Sequence, residues 1–248
     1  MSRLEDLFAK FLRLRKVLFG IDRYIKQDIV LPTNTFGNNG ASWTLVTELL
    51  NETSIVYSFG VGDDISFDLS VINHVDLQIY AFDPTPKSVE WISNQNLPKQ
   101  FILNPVGLAN FNGKAKFHPP ENPEHISATI LERDETKDEA YKVEVRTLKS
   151  IMQELGHRHV DLIKMDVEGA EYDVIEDMKT NGIKPSQLLV EFHHRFKNVG
   201  AKKTVKAVKT LRGMGYKVFH VSKTGEEISF IKEELIDKVT NLTAHTTN

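Results

Sequence analysis

The sequence contains no cysteine among its 248 residues. Disulfide bonds and thiolate metal sites are therefore excluded, which fits a reducing compartment. No apolar run approaches the roughly 20 residues that a membrane-spanning helix needs. The N-terminus also lacks the apolar centre of a secretory signal, because Glu5, Asp6 and Lys10 interrupt it. These absences lead us to expect a cytoplasmic protein.

Charge of one sign is not in excess either. The chain has 31 Lys and Arg against 34 Asp and Glu, and its formal net charge is −3. This balance disfavours nucleic acid as a partner. Hydrophobic residues make up 40% of the chain, so a chain of this length can bury a substantial core. We expect a globular domain.

The stretch from Thr53 to Asp68 has the pattern of a strand, a tight turn and the start of a helix. A β-branched apolar run ends at Gly60 and Gly62, and Asp63 and Asp64 follow at once. This is the order of the first βα unit in a nucleotide-binding α/β sheet. Glycine lets the backbone adopt positive φ and pass close to a ligand.

The two aspartates in this turn bear on which ligand it takes. A pyrophosphate needs the open, positive N-terminus of the helix, but Asp63 and Asp64 already complement that dipole and would repel phosphate. A ligand with a ribose and an ammonium group, but no phosphate, suits the turn better, which points to S-adenosylmethionine. The alternative is that one aspartate merely caps the helix.

A second acid follows the next predicted strand. Leu77–Phe82 ends at Asp83, about 20 residues after the glycines, and Pro84 comes next. An acid in this place commonly hydrogen-bonds ribose hydroxyls. An Asp-Pro pair after a strand is also an ordinary turn signal, so both interpretations stand.

Two later strands carry the residues with the most chemistry. Asp166 ends the predicted strand 160–165, and Glu168 and Glu171 open the helix that follows, where first-turn acids are also favourable for the dipole alone. Glu191 ends the strand after that. Strand alternation places Glu191 and His193 on one side, and Phe192 and His194 on the other. Ligands of open α/β sheets bind at the carboxyl ends of such strands.

The chain divides into three parts by pattern. Residues 1–50 form an N-terminal helical or lid segment, 51–236 a cofactor-binding domain, and 237–248 a polar tail. The first part holds a basic amphipathic helix over 3–27 and a short helix at Trp43–Leu50. Such a helix packs as a lid or lies on an anionic membrane. Within the domain, Asn112-Gly113 predicts a hairpin in an insertion at 105–130.

With these pieces placed, the chain resembles the FkbM family of S-adenosylmethionine-dependent methyltransferases. The resemblance rests on three stretches, VYSFGVGDDISFD (56–68), YAFDPTPKSVEW (80–91) and DLIKMDVEGAEYDVI (161–175), with LLVEFHH (188–194) in support. In the first stretch Asp63-Asp64 stands where many members carry a further glycine or alanine–asparagine. This indicates a variant branch.

The resemblance implies a class I methyltransferase fold. This is an α/β fold with a Rossmann-like, seven-stranded, mostly parallel sheet, helices on both faces and a C-terminal β-hairpin. It also implies O-methylation of a hydroxyl on a sugar, glycan or other small molecule. We predict catalytic roles for Asp166, Glu168, His193 and His194. The predicted cofactor contacts are Phe59, Gly60, Gly62, Asp63, Asp64, Ser66, Asp83, Pro84 and Gly107.

A divalent cation is a further hypothesis for the same place. Asp166, Glu191 and His193 offer oxygen and nitrogen ligands suited to Mg²⁺ or Mn²⁺. His193 is otherwise the preferred base for a hydroxyl, because histidine accepts a proton near neutral pH.

Two other functions remain possible from the sequence. One is a nicotinamide-dependent oxidoreductase, although no tyrosine here has a lysine four residues on. The other is a non-catalytic cofactor-binding or membrane-associated scaffold, which would act through the basic N-terminal helix.

Overall fold

The computed structural model describes residues 3–120, 128–131, 136–196 and 198–246. Its strands are β1 (Asn34–Phe36), β2 (Trp43–Leu45), β3 (Val56–Phe59), β4 (Ile79–Phe82), β5 (Phe101–Asn104), β6 (Gly107–Leu108), β7 (Gly113–Phe117), β8 (Tyr141–Arg146), β9 (Leu162–Met165), β10 (Gln187–Glu191), β11 (Tyr216–Val221) and β12 (Glu227–Lys232). Its helices are α1 (Arg3–Leu18), α2 (Ser66–Val75), α3 (Pro86–Ser93), α4 (Leu148–Glu154), α5 (Glu171–Asn181), α6 (Ala201–Gly213) and α7 (Ile236–Thr246).

A seven-stranded sheet forms the centre of the molecule, in the order β11-β12-β10-β9-β3-β4-β5. Within it β12 is antiparallel to β10 and β11, and the remaining pairs are parallel. This confirms the predicted fold class, including the C-terminal hairpin. The chain runs outward from β3 to β5 and then returns to β9 on the other side of β3. The carboxyl ends of β3 and β9 therefore form the switch point where such sheets bind ligands.

Alternation along the strands divides the core into two layers. Tyr57 and Phe59 face the layer that contains α4, α5 and α6. Val56, one residue away, faces the layer that contains α2, α3 and α7. Both layers contain fully buried side chains, as expected for a parallel sheet covered on both faces.

The N-terminal helix is shorter than the sequence pattern predicts. α1 ends at Leu18 instead of residue 27, because Gly20 adopts φ +75° and the amide of Ile21 bonds back to the carbonyl of Lys16. A glycine in the left-handed region is a common helix end. Between α1 and β1, residues 19–33 form no helix or strand. This segment is attached to β11 through the Asp28 amide, which donates to the carbonyl of Val218.

The helix predicted at Trp43–Leu50 is wrong for its first half. Trp43–Leu45 form β2, which pairs with β1, and only Thr47–Leu49 make a 3₁₀ turn. Gln187 explains the difference, since its side chain bonds both the amide and the carbonyl of Val46. Such a long-range partner overrides local propensity.

The hairpin predicted around Asn112-Gly113 is also wrong. β6 and β7 flank β8 and do not pair with each other. The side chain of Asn112 accepts a hydrogen bond from the Thr147 amide and donates to Ser150, so it holds the start of α4. Part of the predicted insertion, residues 121–127, lies outside the described residues.

The C-terminal segment differs from the predicted polar tail, because it forms α7 with Val239 fully buried. Over the described ranges, no helix has both the length and the apolar character needed to cross a bilayer.

Candidate active site

A cavity of about 290 Å³ lies at the carboxyl ends of β3, β4, β9 and β10. The glycine turn after β3 and the start of α2 form one wall. Residues 40–43, Gly107 and Leu108 close other sides. The cavity therefore occupies the switch point of the sheet.

The two glycines of the turn differ in how closely other atoms approach them. Gly60 has φ +71°, and a Cβ there would stand 1.7 Å from the carbonyl oxygen of Asp166. Gly62 has φ +57°, and no atom lies within 4 Å of where its Cβ would be. Gly60 thus lets β3 and β9 approach each other, and Gly62 leaves room at the cavity wall.

The paired aspartates after the turn have separate roles. Asp64 accepts a hydrogen bond from the Ser66 amide at the start of α2 and another from the Asn38 side chain. Burial opposes ionisation, but these bonds and nearby Lys164 lower the pKa of Asp64 below its ordinary value. Asp63 is exposed and lines the cavity. Asp64 therefore supports the helix start, and Asp63 is available to a ligand.

Asp83 holds the glycine turn in place through a hydrogen bond to its backbone. Its two carboxylate oxygens accept hydrogen bonds from the Gly62 amide at 2.9 Å and the Thr85 amide at 2.8 Å. Burial raises the pKa of Asp83, and the two amides and Lys164 work against that shift. A carboxylate oxygen can accept more than one hydrogen bond, and Asp83 lines the cavity, so it has acceptor capacity for a ligand hydroxyl.

Lys164 is a buried residue that sequence reasoning missed. It is 5% exposed, and its ammonium donates to the Gly60 carbonyl at 2.6 Å. Trp43 covers it, with the ring centroid 5.2 Å from Nζ. Its charge also acts on Asp68: burial raises the pKa of Asp68, and the Lys164 charge opposes that shift. A lysine inside an apolar strand pattern was the available clue, since a fully buried lysine needs partners.

Acidic side chains surround His193 at the other end of the cavity. His193 Nε2 lies 3.5 Å from Asp166, 3.7 Å from Glu168 and 4.0 Å from Glu191, and Nδ1 lies 3.5 Å from Glu171. The imidazole is 10% exposed. The structure therefore brings together the predicted residues Asp166, Glu168, Glu191 and His193; we call these, with Glu171, the acid–histidine cluster.

The protonation of this cluster differs from the sequence expectation. Burial favours neutral imidazole, but Glu171, then Asp166 and Glu168, raise the pKa of His193 to about 10. His193 is thus an imidazolium at neutral pH and holds no free lone pair for a proton. Burial, together with the charge of Asp166, raises the pKa of Glu191.

Glu168 and Glu171 do not share the first turn of a helix as expected. Glu168 has φ +50° and lies in the turn before α5, where the Thr129 hydroxyl donates to its carbonyl. Glu171 begins α5 and is fully buried. Its carboxylate accepts from the amides of Gly169 and His193 at 2.8 Å each. Glu171 therefore fixes the position of His193 from behind.

His194 points away from the cavity, on the side that alternation predicts. Its Nε2 bonds to Asp22, which is fully buried and also pairs with Arg195. Burial would raise the pKa of Asp22, but the hydrogen bonds and charges of His194 and Arg195 lower it to about 2. The structure places His194 in a link between the N-terminal segment and β10, away from the cluster.

Most predicted cofactor residues line the cavity. They are Phe59, Gly60, Gly62, Asp63, Asp64, Asp83, Pro84 and Gly107. Ser66 lies one step behind, where its hydroxyl accepts from the Asn38 amide. Asp166, Glu191 and His193 each offer one ligand atom, and these atoms lie within 4.8 Å of one another.

The cavity is strongly acidic. Among the described residues that line it are eight carboxylates and one lysine, Lys164: the carboxylates are Asp63, Asp64, Asp68, Asp83, Asp166, Glu168, Glu191 and Glu227. A cavity of this charge attracts a cation and repels phosphate.

Residues 47–218 match the methyltransferase FkbM domain. The human probable methyltransferase-like protein 24 is 25% identical over 154 residues, which is 61% of this chain and 36% of that protein. The 2-O-methyltransferase NoeI of Sinorhizobium fredii is 29% identical over 134 residues, or 46% of this chain and 53% of NoeI. The chain thus spans between a third and about half of these relatives.

A solved structure of the methyltransferase FkbM from Methylobacillus flagellatus is also similar. It aligns with a TM-score of 0.49 at 14% identity, over 73% of this chain and 44% of that one.

Proposed function

Because the chain belongs to the FkbM methyltransferase family, we propose that it is an S-adenosylmethionine-dependent O-methyltransferase acting on a hydroxyl of a sugar, glycan or other small molecule. One observation carries the proposal. The glycine turn, Asp83 and three acids of the acid–histidine cluster line a single cavity, so a methyl donor and an acceptor would meet in it; the three acids are Asp166, Glu168 and Glu191.

The residues of the first wall fit an adenosyl cofactor. Gly62 leaves open space, Asp83 has acceptor capacity beside it, and Asp63 faces the cavity. These groups suit a ribose and a cationic amino-acid end. The cofactor supplies a methyl group already activated on a sulfonium. The protein then has to align the acceptor oxygen and remove its proton, and alignment alone is worth several kcal/mol.

We assign proton removal to Asp166, which faces the cavity. Burial and the charge of Asp166 raise the pKa of Glu191 to about 8, so Glu191 keeps its own proton at neutral pH. His193 is held as an imidazolium by Glu171, Asp166 and Glu168, so it orients these carboxylates and does not act as the first acceptor. With the cofactor bound, the acceptor oxygen would take the methyl group as the S–CH3 bond breaks and S-adenosylhomocysteine leaves, and Asp166 would take the hydroxyl proton. A positioned base contributes about 10²–10⁴-fold in rate.

The divalent-cation hypothesis stays a prediction with a geometric basis. Asp166, Glu191 and His193 converge closely enough to ligate one ion, and Mg²⁺ or Mn²⁺ takes such ligands. Binding would require the His193 imidazolium to lose its proton first. Excess chelator tests it. Loss of turnover that Mg²⁺ or Mn²⁺ restores would assign Glu191 to metal binding, whereas unchanged turnover would reject the ion.

The acceptor class rests on the relatives. NoeI is described as a 2-O-methyltransferase, which favours a hydroxyl acceptor for this chain. A nicotinamide-dependent oxidoreductase is not favoured, because the acids at the start of α2 oppose a pyrophosphate. A scaffold without catalysis gives no role to the acid–histidine cluster.

The test combines binding and turnover. We would titrate S-adenosylhomocysteine by calorimetry and screen methyl transfer to sugars and glycans. Asp166→Asn should keep cofactor affinity and lose about 10²-fold or more in turnover, whereas Glu191→Gln, which resembles the protonated carboxyl, should lose less. Glu154→Gln, on the exposed end of α4, serves as the matched control. Normal turnover in Asp166→Asn would refute the assignment.

A further inference from the structure

One face of helix α1 exposes a row of apolar side chains to solvent. Phe11, Leu14 and Leu18 are 55%, 55% and 76% exposed. They are three and four residues apart, so they lie on one face of the helix. A helix packed as a lid would bury this row. Here the row is left uncovered by the domain.

The side of α1 toward the domain is partly polar. The Arg13 guanidinium, which is half-buried, donates to the carbonyl of Ser222 at 3.0 Å. The chain after α1 continues the exposed apolar surface, with Phe19 73% and Tyr24 75% exposed. We call residues 11–24 the N-terminal apolar surface. Exposed apolar side chains in such a group mark an interaction site.

A groove of about 370 Å³ adjoins this surface. Leu12, Phe19 and Ile21 supply its apolar lining. Five cations surround them: Arg13, Arg15, Lys16, Arg195 and Lys223. No carboxylate is among the described residues that line it. Arg195 is paired with Asp22 and Glu226, which leaves a net positive rim around an apolar centre.

We propose that the N-terminal apolar surface docks on an anionic phospholipid membrane. Aromatic and aliphatic side chains would enter the boundary between headgroups and acyl chains, as in helices that lie in the interface plane. Arg15, Lys16 and their neighbours would contact the acidic headgroups, each contributing favourable electrostatics near the surface. The charge of the groove is complementary to such headgroups.

The same charge disfavours a second copy of this chain as the occupant. A symmetric dimer places identical patches against each other, so the cationic rims would face and repel. An anionic lipid surface meets both the apolar and the basic part of the patch. The proposal does not depend on the reaction, because the patch does not share lining residues with the catalytic cavity.

Vesicle co-sedimentation of the full chain tests the proposal. Vesicles of phosphatidylcholine with about one quarter phosphatidylserine should bind the protein, pure phosphatidylcholine should bind it far less, and salt should weaken binding. Leu14→Glu/Leu18→Glu/Phe19→Glu should reduce binding roughly tenfold or more, and Arg15→Gln/Lys16→Gln should do so for anionic vesicles only. Lys16 is half-buried and the other substituted side chains are exposed, so circular dichroism should show the fold intact.

Matched controls lie elsewhere on the surface. Phe111→Glu removes an exposed aromatic, and Lys202→Gln/Lys209→Gln removes two exposed lysines of α6. Both should bind anionic vesicles as the parent does. Failure of the parent to bind these vesicles, or undiminished binding by the triple-glutamate variant, would overturn the proposal. So would a dimer in light scattering that the triple variant abolishes without any vesicle binding. Titration with S-adenosylhomocysteine should be unaffected in all variants.

Discussion

Gly60 and Gly62 both have positive φ, but Gly60 is closely packed and Gly62 borders open space. Alanine should therefore affect the two positions differently. Gly60→Ala should destabilise by more than about 4 kcal/mol, or prevent folding, because its Cβ would overlap the Asp166 carbonyl. Gly62→Ala should cost only about 1 kcal/mol from backbone strain, but it should weaken cofactor binding by filling the cavity wall. Urea unfolding and calorimetry separate the two effects. Equal destabilisation by both would contradict this account.

Asp22 should make the free energy of unfolding depend on pH in the acidic range. Its pKa is about 2 in the folded protein against an ordinary 3.8. Because the folded pKa is lowered, the stabilisation is full above about pH 4 and is lost as pH falls toward 2; it amounts to about 2 kcal/mol. The unfolding free energy of the parent minus that of Asp22→Asn should shrink by this amount between pH 5 and 2. Asp237→Asn, at an exposed position, should show no such change.

The position of a site residue could be predicted from the sequence where the residue stands at the end of a strand. Asp83, Asp166 and Glu191 each follow an apolar strand, so the sequence places them at one sheet edge. The Asp22–His194 bond joins residues 172 positions apart, and no local pattern encodes such a pair. The raised pKa of His193 was missed for a similar reason, since it depends on three acids of residues 166–171, more than 20 positions away in the chain.

The small sheet β6-β8-β7 supports one side of the cavity. Gly107 and Leu108 of β6 line the cavity and pair with Val145 and Arg146 of β8. Val145 is fully buried, so Val145→Ala should cost about 2 kcal/mol and also weaken S-adenosylhomocysteine binding. Chemical unfolding and calorimetry measure both.

Lys116→Ala on the neighbouring strand β7 is the control, because its side chain is exposed. It should change neither quantity. A Val145→Ala variant with parental stability would show that the small sheet does not bear on the cavity.

Elements with strong periodicity were predicted closely, and irregular ones were not. Over Ala201–Gly213 apolar and charged residues repeat with helical spacing, which predicts a helix, and α6 has these bounds. β8 carries the charges Lys142, Glu144 and Arg146 and alternates buried and exposed positions. Its pairing with β6 and β7 comes from tertiary contacts, which local propensity does not detect.

The molecule as a whole should show unequal local stability. β3, β9 and β10 are the central strands and are buried on both faces, whereas α1 has an exposed row. Amide hydrogen exchange should therefore be slowest in the central strands and fast in residues 3–18. Adding S-adenosylhomocysteine should slow exchange in the turn 60–64. Equal protection of α1 and β9 would contradict this description.

The central claim is that an acid-lined cavity at the switch point binds an adenosyl cofactor in preference to a dinucleotide. Calorimetric titration tests it most directly, with S-adenosylhomocysteine and NAD⁺ added to the same preparation. We predict saturable binding of S-adenosylhomocysteine and none of NAD⁺, because Asp63 and Asp64 stand where a pyrophosphate would lie. Binding of NAD⁺, or no heat from S-adenosylhomocysteine at millimolar concentration, would contradict the account.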